Sequence, residues 1–84
     1  MAYKVIFSKL AEKAFLGLSK TFQMQIAKRL NLAAENPKPF VKKLTGLSEL
    51  SLRAGDYMLI VNIDETAKLI MVLDVGHRRE IYKK

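Results

Sequence analysis

The 84-residue chain has no cysteine, no tryptophan, a single histidine and two prolines. Without cysteine there is neither a disulfide framework nor a thiolate metal site. One histidine is too few for a zinc site built on imidazoles. Neither metal nor cofactor is therefore expected. Long apolar runs are missing too. The longest, residues 58–61 and 69–73, are far too short to span a bilayer. Lys4 and the charges that follow interrupt the apolar stretches at the start of the sequence, so no secretory apolar segment is expected. A cytoplasmic protein without a membrane role is expected.

Half of the residues are apolar, enough for one core, and the chain reads as a single domain over residues 1–84. Net charge is +7, and its distribution is uneven. Residues 1–34 hold six basic side chains against one glutamate, and residues 77–84 hold four against one. Residues 53–76 are mildly acidic, with four carboxylates against Arg53 and Lys68. Clustered cations suit phosphate or an acidic protein surface, and charge alone does not separate the two.

"AYKVIF" alternates Tyr3, Val5 and Phe7 against Lys4, which predicts a first strand. Ser8 is placed to cap a helix whose inner positions are Leu10, Ala11, Ala14, Phe15 and Leu18. Thr21 is the expected cap of a second helix with Phe22, Ile26, Leu30 and Ala33 on its buried stripe. "NPKP", residues 36–39, ends it, because proline biases the preceding residue away from helix. Beyond this the period becomes two. Leu50, Leu52 and Ala54 face one way, with Glu49, Ser51 and Arg53 opposite. Tyr57, Leu59, Val61 and Ile63 form the next apolar face. In the last strand Leu69, Met71, Leu73 and Val75 alternate with Ile70, Val72 and Asp74.

The predicted class is α+β, with order β-α-α-β-β-β: an antiparallel sheet carrying a helical hairpin on one face. Gly55 at the first central position of a two-residue "GD" turn favours type II′. Ala54 then pairs with Tyr57, and Arg53 with Met58, on the face away from the core. The helices cover one face only. The chain's end, "VGHRREIYKK", is thereby available to lie over the other.

Three stretches, "AYKVIFSKLAEKAFLGL", "KLTGLSELSLRAGDYMLIV" and "VLDVGHRREIYKK", resemble the RelE/ParE superfamily of toxins from type II toxin–antitoxin systems. The likeness covers essentially the whole chain, and the "GHRREIY" ending is closest to the RelE branch. It implies a RelE-like fold and a ribosome-dependent endoribonuclease, an mRNA interferase that cuts mRNA in the ribosomal A site and stops translation. It also implies an acidic RelB-like antitoxin partner. The site residues it implies are Arg53 of the hairpin motif, Arg78 after the glycine–basic pair, His77 as a basic neighbour, and the terminal Tyr82. Two alternatives remain open: a ParE-like poison of DNA gyrase, and an RNA- or protein-binding module without chemistry.

The implied reaction assigns these residues roles. Attack of a 2′-hydroxyl on the adjacent phosphate builds charge on phosphate oxygens, which a planar guanidinium can meet in pairs. Arg78 and Arg53 fit that part. His77 suits proton transfer, as the side chain that ionises nearest neutrality. Tyr82 suits proton donation or stacking on a base. The chain departs from the family's pattern at Met58, where arginine is usual, and at Glu49 and Ser51, where the RelE branch tends to carry lysines. Met58 cannot stabilise an oxyanion, so a weakened activity is expected.

Overall fold

In the computed structural model, which describes residues 2–44 and 49–81, β1 (Lys4–Phe7) passes into α1 (Lys9–Leu16) through Ser8. The Ser8 hydroxyl is the predicted N-cap, accepting from the Ala11 N–H at 3.1 Å. The same hydroxyl donates to the Leu73 carbonyl at 3.0 Å, tying the helix start to a residue distant in sequence. α2 (Lys20–Glu35) starts two residues earlier than predicted. Its cap residue is Ser19, extended at ψ 159°, and Thr21 already lies inside the first turn. Gln23 Nε2 donates to the Leu18 carbonyl at 2.9 Å and closes the tight corner between the helices. Asn36 leaves the helix just before Pro37, as "NPKP" predicts.

A 3-10 turn (Lys38–Phe40) then leads into β2 (Val41–Lys43), followed by β3 (Leu50–Ala54), β4 (Tyr57–Asp64), β5 (Leu69–His77) and the short α3 (Arg78–Ile81). The strand order is β1-β5-β4-β3-β2. The α+β class and the helical hairpin on one face agree with the sequence reading. Besides α3, which the predicted order lacks, two features of the sheet do not. β2 is an additional edge strand, too short for its pattern to show and held by pairing with β3. β1 runs parallel to β5, so the sheet is mixed. Alternation reports which side chains are buried and carries no information about a neighbour's direction.

The largest fully buried side chains are Ile26 from α2, Leu52 from β3, Leu59 and Val61 from β4, and Ile70 and Val72 from β5. Leu10 and Phe22, both expected in the core, are 58% and 37% exposed. The inner face of α1 is built on Ala11, with Ala14, Phe15 and Leu18 at helical spacing from it, and Leu10 lies about 100° around the helix from Ala11. Phe22 instead lays its ring on Tyr57, 4.9 Å between centroids, at the end of the hairpin.

The β4–β5 connection is fastened to the chain's first residues. Asp64 Oδ1 accepts from the N–H groups of Thr66 and Ala67, each at 3.0 Å, forming an Asx turn. Tyr3 donates its hydroxyl to the Glu65 carboxylate and its N–H to the Ala34 carbonyl at 2.8 Å. Lys68 Nζ sits 5.1 Å from the Tyr3 ring centroid. The Glu65 bond, and burial after it, hold the Tyr3 phenol above its ordinary 10, against a smaller opposing pull from Lys68. The unfolded chain therefore loses this proton first. The associated stability is present below the unfolded value and is lost as pH rises through the raised folded one. Urea unfolding of wild type and Tyr3→Phe at about pH 8 and about pH 11 checks this: the substitution should flatten the alkaline decline.

Candidate active site on the open face of the sheet

The hairpin between β3 and β4 has the predicted register, with Ala54 opposite Tyr57 and Arg53 opposite Met58. Gly55 has φ +64°, and Asp56 is not among the residues of positive φ, as a type II′ turn requires. A Cβ at Gly55 would meet Gln25 Oε1 at 2.9 Å, so α2 packs directly against this turn. Arg53 therefore leaves from a fixed corner, on the side the helices do not cover. Its Nε donates to the Gly55 carbonyl at 2.9 Å, which anchors the guanidinium to the turn.

Which residues of the chain's end reach the same side is decided by a bulge in β5. Ile60 pairs with Asp74 and Val61 with Val72, leaving Leu73 as an extra residue. Val72 and Val75 consequently both enter the core, where uninterrupted alternation would have set Val75 on the opposite side. Everything beyond the bulge changes face. Val75 and His77 turn toward the helices, while Gly76 and the start of α3 turn toward the open face. A straight strand would have delivered His77 to the open face and Arg78 to the core.

α3 stays on that face because of Gly76. Ile81 is buried against it, and a Cβ at Gly76 would stand 3.3 Å from the Ile81 Cβ. The Arg78 N–H donates to the Asp56 carbonyl at 2.9 Å, joining the helix start to the GD turn. Because residues 78–81 are helical, Arg78 and Arg79 are about 100° apart and can serve one site. In an extended tail they would point opposite ways.

The result is a cleft of about 380 Å³ lined by Phe40, Lys42, Ser51, Arg53, Met58, Arg78 and Arg79. Four of these are cations, and among the described residues that line it none is acidic. Glu49 is not one of its lining residues. Of the residues singled out in the sequence, Arg53 and Arg78 meet here. His77 does not line the cleft. Its ring stands edge-on to Tyr57, 5.7 Å between centroids, on the helix side, and its Nδ1 accepts the Arg79 N–H at 3.2 Å. Tyr82 lies outside the described residues.

A family model described as the ParE toxin of the type II toxin–antitoxin system parDE matches residues 5–82. The chain belongs to this toxin family.

Solved structures place the toxin in the wider RelE/ParE superfamily. A chain of a RelBE toxin–antitoxin complex from Mycobacterium tuberculosis superposes with a TM-score of 0.84 at 23% identity, over 93% of this chain and 100% of that one. For an archaeal RelE–RelB complex from Pyrococcus horikoshii the values are 0.80, 28%, 95% and 99%. For the isolated RelE toxin of E. coli they are 0.74, 28%, 98% and 93%. The search of curated proteins finds no match.

Besides Ser51 and Met58, which mark departures from the family's pattern, three cleft residues of the toxin were not singled out in the sequence as site residues. Lys42 reads as a solvated lysine until β2 is seen to pair it with Ser51, whose hydroxyl donates to the Lys42 carbonyl at 3.4 Å. Arg79 depends on the helical turn at the end of β5. Phe40 follows two prolines and shows no periodicity at all. A second feature is apolar. A groove of about 690 Å³ runs between β1, α1 and α2, with Ile6, Phe7, Phe15, Leu16, Ala27 and Leu30 among its lining residues. Leu16 is 63% exposed there, and β1 is an edge strand.

Proposed function

We propose that this toxin is a ribosome-dependent mRNA endonuclease that acts in the cytoplasm and is held inactive by an acidic, RelB-like antitoxin. The observation that carries the reading is the convergence of Lys42, Arg53, Arg78 and Arg79 on one cleft. The reaction is attack of a ribose 2′-hydroxyl on the adjacent phosphate, with departure of the 5′-oxygen. Charge accumulates on the phosphate oxygens between these steps, and preorganised guanidinium groups stabilise it. Arg78 and Arg53 are the phosphate ligands, and Tyr82 is the proton donor or a stacking surface. His77, bonded to the Arg79 N–H from the other face, holds the start of α3 and acts as a positioning residue. A site with few proton-transfer groups relies on its partners for geometry, which supports cleavage on translating ribosomes and not on free RNA.

The same charge pattern fits the inhibitor. An amphipathic antitoxin helix has an apolar seat in the groove beside β1. Its carboxylates would speed association through the toxin's net charge of +7. Binding to a co-encoded acidic protein should be tight, with association slowed by added salt. Pull-down from the native cell that yields no small acidic protein would remove this part of the proposal.

One observation favours a second reading, poisoning of DNA gyrase: the matching family model is itself that of ParE toxins. Methionine at position 58 points the same way. Induction in cells separates the two. An mRNA endonuclease stops incorporation of labelled amino acids and leaves new 5′ ends within reading frames. A gyrase poison leaves translation running and induces the DNA-damage response. A toxin that does neither, yet binds RNA or protein, is a binding module.

A further inference from the structure

Phe40 occupies an unusual position at the rim of the cleft. It sits at the end of the 3-10 turn, at the edge of the sheet, where the helix side and the open side meet. From the helix side, Arg29 of α2 places its Cζ 5.5 Å from the Phe40 ring centroid. The ring is half-buried and also touches the core, so it is held on a rigid base. From the open side it lines the cleft together with Lys42 and the three arginines. Aromatic wall and cations together are what single-stranded nucleic acid binding uses: cations track the phosphates, and a π-face takes a base.

We propose that Phe40, backed by Arg29, is a base-stacking subsite that holds one unpaired nucleobase beside the phosphate bound by Arg78. This rests on the endonuclease reading, and it assigns to Phe40 a specificity role distinct from the cations. Stacking tolerates any base but favours larger π-surfaces, so a purine should be preferred at that position. Arg29 keeps the ring in place and adds charge to its rear face.

Short single-stranded RNA at low salt, with each position in turn made abasic, is the probe. It leaves the phosphates unchanged and needs no protein variant. Binding to wild-type toxin should weaken by about 5- to 100-fold when one particular base is removed, the range associated with a single stacked base. Phe40→Leu should bind intact RNA about that much more weakly, and removal of that base should then have little effect. Phe40→Trp should keep the base dependence. Circular dichroism verifies that each variant is folded. If no single base matters to wild-type toxin, the subsite does not exist, whatever the variants do. If RNA binding falls on Arg78→Ala but is indifferent to Phe40 and to every base, the stacking subsite fails and the phosphate cleft stands. If Arg78→Ala also leaves RNA binding unchanged, the endonuclease reading fails with it.

Discussion

Arg78→Ala should lower cleavage of ribosome-bound mRNA by about 10²- to 10³-fold, the loss seen when one preorganised donor to a developing oxyanion is removed. The size follows from where Arg78 stands. Its backbone is fixed twice, by the N–H bond to the Asp56 carbonyl and by Ile81, three residues later in α3, seated against Gly76. Neither contact involves the Arg78 side chain, so the variant keeps its fold. Substitutions at such a position usually shift stability by about 0.5 kcal/mol or less. Arg78→Lys should fall between wild type and alanine, since an ammonium supplies charge without the two-pronged fork. Arg79→Ala should cost less than Arg78→Ala, because Arg79 is the more exposed of the two. Growth arrest after induction, primer extension on a reporter mRNA, and circular dichroism make the set of measurements. Full toxicity of folded Arg78→Ala would show that the cleft is not the seat of toxicity and that the endonuclease reading is wrong.

The face on which Arg78 emerges illustrates what could and could not be read in advance. The hairpin was legible because its turn contains the one residue that takes a positive φ without strain, and a two-residue turn fixes every pair behind it. Ser8 was legible as a cap because a hydroxyl before an apolar-periodic run has few other uses. β5 was different. Residues 69–73 are all apolar, so alternation there gives no sign of face, and a one-residue bulge inverts everything after it. Pairing Arg78 with His77 as a single site was thus a matter of adjacency in sequence, and the sheet divides them. Lys42, which reads as a solvated lysine, and Phe40 carry no local signal of a site for a related reason. Their significance comes from lying next to β3 across a sheet edge, and β2 is only three residues long. Tertiary pairing made that site, and no local pattern encodes it.

Met58→Arg should raise cleavage, or lower the dose needed for growth arrest, by about 10²-fold or more, the reverse of removing a charge-stabilising donor. The position is suited to the change. Met58 stands beside Arg53 and opposite Gly76, which presents no side chain. It is 9% exposed and lines the cleft directly, so a longer side chain can keep its apolar stem in place while the guanidinium reaches the phosphate site. A fifth cation among Lys42, Arg53, Arg78 and Arg79 adds repulsion when no anion is bound, so the free variant should unfold at a lower temperature than wild type. Phosphate or RNA should restore part of that difference, since a ligand that binds only the folded state stabilises it. Met58→Lys should gain less than Met58→Arg, and Met58→Leu should behave as wild type, which separates charge from shape. If Met58→Arg is folded and no more active while Arg78→Ala is inactive, the cleft is catalytic but position 58 does not limit its rate. If neither substitution changes toxicity, the four cations serve another partner, and gyrase becomes the target to test.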